Sequence, residues 1–289
     1  MPARVTLTRA AAVIAAVLTA AVLGATPAAA VADGTPASPG QYPFAVKLAM
    51  THIPRPDGTF YNSACSAALI SPTWIITAGH CFHDINRVPV SGPVPYATTA
   101  TLNTVDVSQS PGEVTDVISV QQSSKTDIAL AELSAPVTDV TPLGLSDTRP
   151  VAGAVLTIAG WGATSSINPT PGTQLFTGQV KIQTVNPTTI TVVGYHPEAD
   201  TSACLYDSGA PYFTTPAGAA PLLVSTESTG PDCPHTSAET TARVDTITKW
   251  IRTIVPDLPC GNRWATPTSQ PARRQVMSPP TGITGSCAC

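Results

Sequence analysis

Three short stretches carry the residues that could do chemistry. Ser208 stands in Cys204-Leu205-Tyr206-Asp207-Ser208-Gly209-Ala210-Pro211, a poor helix former and a weak strand former that reads as a tight turn presenting one hydroxyl. His80 lies near the end of Ile75-Ile76-Thr77-Ala78-Gly79-His80-Cys81, and Asp127 opens the run Asp127-Ile128-Ala129-Leu130. A serine hydroxyl is a weak nucleophile near neutral pH and needs an adjacent base. An imidazole can take its proton during attack and return it to the leaving group. Asp127 sits where a loop enters a buried strand, so its carboxylate needs hydrogen-bond donors, and an imidazole N–H can supply one. The chemistry these types could perform together is acyl transfer through a serine nucleophile. Asp106 and Asp116 are weaker partners for His80, since neither precedes an Ile-Ala-Leu run.

Taken in the order His, Asp, Ser, the three stretches resemble the motifs of the trypsin/chymotrypsin-like serine proteases, roughly TAAHC, DIAL and GDSGGP. The same roles occur in a different chain order in α/β-hydrolases and subtilisins. The resemblance implies an all-β fold of two six-stranded antiparallel barrels with a C-terminal helix and the site in the cleft between them. It assigns the nucleophile to Ser208, the base to His80 and the orienting carboxylate to Asp127, with the oxyanion held by the backbone N–H groups of Tyr206 and Ser208. It also implies disulfides Cys65–Cys81 and Cys204–Cys233, the first holding the imidazole segment and the second stapling the pocket walls. Ser202, Ser228, Thr229 and Gly230 fall at pocket positions, and a freed α-amino group at Val31 would pair with Asp207.

Several positions depart from the family pattern. Tyr206 replaces a usual glycine, which puts the oxyanion hole in question if the site needs dihedrals that a bulky residue resists. Loss of one such donor costs about 2.7–4 kcal/mol of transition-state stabilisation. Ala210 and Gly79 are milder exchanges, expected to matter little. Ser202 stands where trypsins carry a specificity aspartate, and Thr229 where a tryptophan is usual. Glu239 falls near a position that could line the pocket floor and restore a basic preference; the preference stays open.

Around these motifs the chain is 43% hydrophobic and only 11% charged over 289 residues, long enough for a sizeable core and rich in the Thr, Val and Gly of a β-rich extracellular protein. Residues 1–30 read as a signal peptide: Arg4 and Arg9, an apolar run from Ala10 to Leu23, and small residues Ala28-Ala29-Ala30. Cleavage there would start the mature chain at Val31 and shift the net charge from −4 to −6. Nothing basic and clustered points to nucleic acid. His83 invites a metal reading beside His80 and Cys81, but no further ligands stand at suitable spacing. The expectation is a secreted monomer acting on polypeptides, without cofactor, metal or membrane association.

Strand patterns run over Phe44–Leu48, Ala67–Ile70, Val114–Gln121, Val155–Gly162, Leu175–Ile182, Thr188–Val193 and Leu222–Thr226, with a turn at Pro54–Gly58. Arg243–Val255 has one apolar face at helical spacing and closes a domain spanning 31–255, with barrels of about 31–147 and 148–255. Residues 256–289 hold six prolines and Cys260, Cys287 and Cys289, and read as an irregular tail; the odd cysteine total leaves one thiol over. Two further readings stay open: an inactive homologue that binds a protein in the same groove, favoured by Tyr206, and an esterase using the same triad.

Overall fold

The computed structural model describes residues 30–258, so the signal-peptide and tail readings lie outside the described residues, apart from the chain next to each boundary. Two six-stranded antiparallel rings make up the fold. The first comprises β1 (Ala45–Pro54), β2 (Phe60–Ser71), β3 (Trp74–Thr77), β4 (Thr98–Leu102), β5 (Glu113–Gln122) and β6 (Ala129–Leu133). Its neighbours run β5-β4-β1-β2-β3-β6, and pairing of β5 with β6 closes it. The second comprises β7 (Val155–Gly160), β8 (Phe176–Val185), β9 (Thr189–His196), β10 (Pro211–Thr214), β11 (Leu222–Thr229) and β12 (Glu239–Arg243), in the order β8-β7-β10-β11-β12-β9. Pairing of β8 with β9 closes that ring.

Alternation builds these walls. In β4, Thr98, Ala100 and Leu102 are buried while Thr99 and Thr101 are half-buried, the period of two that puts one face on the core. Strands extend beyond the apolar runs that signal them: β1 and β2 continue to a hairpin whose turn is closed by Arg55 and Thr59, with Gly58 at φ +82°. The C-terminal helix is shorter than its apolar periodicity suggests. It spans Thr248–Ile254, because Arg243 still belongs to β12 and the Thr246 hydroxyl caps the Arg243 carbonyl in the intervening turn.

The chain crosses between the barrels at its N-terminal end. Thr35–Pro36 pairs with Phe176–Thr177 of the second barrel before the chain enters the first. One continuous apolar cluster joins Ile75, Ile76 and Leu130 of the first barrel to Phe213, Leu223 and Ile251 of the second. At its centre Phe213 meets Tyr42 and Phe44 edge-on, at centroid separations of 5.0 and 5.3 Å. Such aromatic contacts add to the burial of their large apolar area. Phe213→Ala should therefore lower the unfolding free energy by about 3–5 kcal/mol. Denaturant titration checks this; a loss under 1 kcal/mol would show that the barrels are held together elsewhere.

Candidate active site

The elements deliver the three chemical residues to one point in the cleft. After β3, the single helical turn Gly79–Cys81 carries His80, and the Cys65–Cys81 disulfide ties that turn back to β2. Asp127 lies just before β6, and Ser208 lies in the turn before β10. His80 Nε2 is 2.8 Å from Ser208 Oγ, and His80 Nδ1 is 2.7 Å from Asp127 Oδ2. A carboxylate facing Nδ1 makes that nitrogen the donor, which leaves Nε2 of the neutral ring to accept from the serine. Asp127 Oδ1 accepts the His80 backbone N–H at 2.9 Å, and the Ser228 hydroxyl donates to Oδ2 at 2.7 Å. Burial pushes the Asp127 carboxyl upward. The hydrogen bond and charge of His80, the Ser228 hydroxyl and the His80 N–H outweigh it, holding the group below its ordinary value.

The serine turn is organised by Asp207, which is fully buried. Its Oδ1 accepts the Gly162 N–H at 2.8 Å, and its Oδ2 accepts the N–H groups of Cys204 at 3.0 Å and Val31 at 3.2 Å. Burial still dominates over these donors and pushes the carboxyl up to about 7. The Gly160-Trp161-Gly162 sequence now has a steric reason: a Cβ at Gly160 would come within 2.0 Å of Asp207 Oδ1, and one at Gly162 within 2.5 Å of the carboxyl. Gly79 is similarly constrained, since a Cβ there would lie 2.6 Å from Gln122 Oε1 and 3.0 Å from Asp127 Oδ1. Gln122 donates to the carbonyls of Gly79 and Phe82 and fills the space an alanine would need.

Tyr206 adopts φ +74°, the left-handed region a glycine would enter without cost. With that dihedral, neither the Tyr206 nor the Ser208 N–H has an acceptor among the described residues. Two free amides flank the Ser208 hydroxyl.

Beside Ser208 lies a pocket of about 240 Å³ walled by Cys204 and Leu205 on one side and Ser228, Thr229 and Gly230 on the other. The Cys204–Cys233 disulfide joins the strands of chain behind those walls. Ser202 is buried outside the lining: its hydroxyl accepts the His235 N–H at 3.2 Å. Ser228 contributes to the wall but turns its hydroxyl to Asp127. Glu239 is buried behind the wall, with its Oε2 3.6 Å from where a Cβ on Gly230 would stand. Sequence reasoning missed Glu227, which lines the pocket; the only signal was a carboxylate in line with the buried strand Leu222–Thr226. A larger groove of about 960 Å³, between Ser123–Lys125 and the C-terminal helix, touches none of the triad residues.

Paired barrels with a serine, imidazole and carboxylate in register define the chymotrypsin-like class of serine hydrolase architecture. The family model described as Trypsin matches residues 31–251, and the chain belongs to that family of serine endopeptidases. Among curated relatives, serine protease SSP1 of Scolopendra subspinipes is 28% identical over 63% of this chain and 67% of its own length. Snake venom serine protease catroxase-2 of Crotalus atrox is 28% identical over 51% of this chain and 61% of its own. Brachyurin of Leptuca pugilator is 34% identical over 35% of this chain and 46% of its own, so these matches span from about half to two thirds of the relatives.

Asp127 contributes stability above its ordinary carboxyl range and loses it as pH falls through the depressed value. Ser228→Ala removes one of the donors that depress it. Acid unfolding followed by circular dichroism between pH 2 and 5 should then begin at higher pH than in the wild type. An unchanged acid limb would mean that Ser228 does not hold the carboxylate.

Proposed function

We propose that the protein is a secreted serine endopeptidase that cleaves polypeptides through an acyl-enzyme intermediate. One observation carries this reading: the Ser208 hydroxyl lies 2.8 Å from a nitrogen of His80 whose other ring nitrogen faces Asp127. On attack, the Ser208 oxygen bonds to the substrate carbonyl carbon and its proton passes to His80 Nε2. His80 then returns the proton to the departing amine, and water repeats the sequence to release the acid. The Tyr206 and Ser208 N–H groups receive the negative charge that develops on the carbonyl oxygen. The relatives called serine proteases agree with this chemistry, and the venom proteases and the two disulfides favour an extracellular setting.

The mature terminus we assign to Val31. Ala30 is fully buried and Val31 sits at φ +54°, a conformation a β-branched residue resists. That dihedral exists only while Ala30 is attached, so cleavage relieves it and frees an amine beside Asp207. With Ala30 attached, Asp207 has amide donors but no cation among the described residues, and its raised value means that stability falls as pH climbs from about 4 to about 7. A chain beginning at Val31 should lose less stability over that interval than one carrying a residue before it. Thermal melts of the two forms at pH 5 and 8 decide this, and parallel curves would argue against the pairing.

The activity is tested by labelling the purified protein with a fluorophosphonate, alongside Ser208→Ala. Labelling should occur in the parent and vanish in the variant; no labelling of a chain beginning at Val31 would favour a binding role for the groove. Matched peptide and ester substrates then separate peptidase from esterase. Because Tyr206 already holds the left-handed dihedral, Tyr206→Gly should keep kcat/KM within about tenfold, roughly 1.4 kcal/mol of barrier. A gain of a hundredfold or more would show that the tyrosine obstructs the oxyanion site.

A further inference from the structure

Behind the pocket lies a buried acidic cluster that the triad chemistry does not use. The Tyr212 hydroxyl is 2.8 Å from Glu227 Oε2 and 2.6 Å from Glu239 Oε1, and all three side chains are almost wholly shielded from solvent. A phenol has one proton to donate. It can satisfy one carboxylate; the other oxygen, at the same short distance, must bring a proton of its own. The donors around each group say which. Glu239 also receives the Ala203 N–H at 3.0 Å on Oε2, whereas the tyrosine is the only hydrogen-bond partner of the Glu227 carboxyl among the described residues. The chain of protons therefore runs from the Glu227 acid to the Tyr212 oxygen and from the Tyr212 hydroxyl to the Glu239 carboxylate. Two like carboxyls in one low-dielectric site cannot both ionise without a compensating cation.

Resting on the serine endopeptidase reading, we propose that this pair is the specificity element of the pocket and that it recognises a cationic substrate side chain by exchanging its shared proton for that charge. Glu227 lines the pocket directly, and Glu239 stands immediately behind Ala203 and Gly230. A Lys or Arg side chain entering beside Ser208 would bring its charge to the pair; the pair then ionises fully and one proton leaves to solvent. Ser202 takes no part, because it is buried off the lining. Other charged groups act on the pair from neighbouring elements. Asp207 in the serine turn bears on both carboxyls, Asp127 before β6 bears on Glu227, and both disfavour a second negative charge. His235, after β11, holds Nε2 3.6 Å from Glu239 Oε2 and has no hydrogen-bond partner on that nitrogen among the described residues. Its Nδ1 donates to the Ser237 carbonyl, so Nε2 faces the carboxylate favourably only when protonated.

The consequence is a selectivity that depends on pH. Binding a cation releases a proton, so discrimination in its favour grows with pH, by at most tenfold per unit for one proton. The experiment compares two peptide substrates identical except for Lys or Met before the scissile bond, with kcat/KM measured from pH 5.5 to 8.5. Effects of pH on the chemical step are common to both substrates and cancel in their ratio. The Lys-to-Met ratio should exceed one and rise at least tenfold over this range, then level off. Glu227→Gln and Glu239→Gln should each flatten the profile and cut the ratio at pH 8 more than tenfold, while His235→Gln leaves a rising profile. A flat ratio, or a preference for Met at pH 8, in wild-type protein would overturn the proposal even if the variants fail to fold. Fluorophosphonate labelling of the same samples keeps the two readings apart: labelled protein without a Lys preference defeats this inference alone, and unlabelled protein defeats the endopeptidase reading beneath it.

Discussion

A buried carboxylate must be surrounded by donors, and the site depends on how this chain meets that demand at Asp207. Backbone N–H groups from three separate segments converge on its two oxygens: Val31 at the start of the described chain, Gly162 after β7, and Cys204 within the serine turn. Each contact adds to the bonds that hold its piece of chain in place. The Cys204 contact curls the turn, the Gly162 contact requires glycines where side chains would collide, and the Val31 contact draws the N-terminal segment across the second barrel. With the turn so held, the residue on either side of Asp207 is placed as well: Tyr206 in its left-handed dihedral and Ser208 with its hydroxyl toward His80.

The two barrels contribute differently to that arrangement. The first carries His80 and Asp127 next to the ends of strands β3 and β6, which pair directly, so the distance between the two residues is set by one hydrogen-bonded register. The second carries Ser208 and the pocket beside it. The distance from His80 to Ser208 crosses between the barrels, as does the Ser228 bond to Asp127, and both rest on packing across the interface around Phe213 and on the Ser66 N–H, which donates to the Ser208 carbonyl at 2.9 Å. Cavity-scale changes there would be felt as misalignment at the serine.

Much of this was legible in the sequence because it is written locally. Ser208, His80 and Asp127 each sit in a short stretch whose composition marks a turn or a strand entry, and the apolar runs mark the barrel strands. What was not legible depends on contacts between distant segments. Ser202 has the pocket spacing, but its hydroxyl is taken by the His235 N–H, a partner 33 residues away that spacing from Cys204 does not reveal. Glu227 and Tyr212 look like ordinary members of strands β11 and β10; only the pairing of those strands brings the phenol between two carboxyls. The apolar stripe of Arg243–Val255 is real, yet Val244 and Ile247 reach the core from a turn, because a turn can bury the same residues that a helix would. Gly79 reads as a neutral exchange until Gln122, from a different strand, is found in the vacated space.

The turn held by Asp207 should aim one hydroxyl and two amides at a single point. A crystal structure of the phosphonylated protein, with the adduct on Ser208, tests it most directly. One phosphonyl oxygen should accept hydrogen bonds from both the Tyr206 and the Ser208 N–H, at about 2.7–3.1 Å from each nitrogen. An adduct whose oxygen points to solvent, with the Tyr206 N–H turned away from it, would show that the two amides form no oxyanion site.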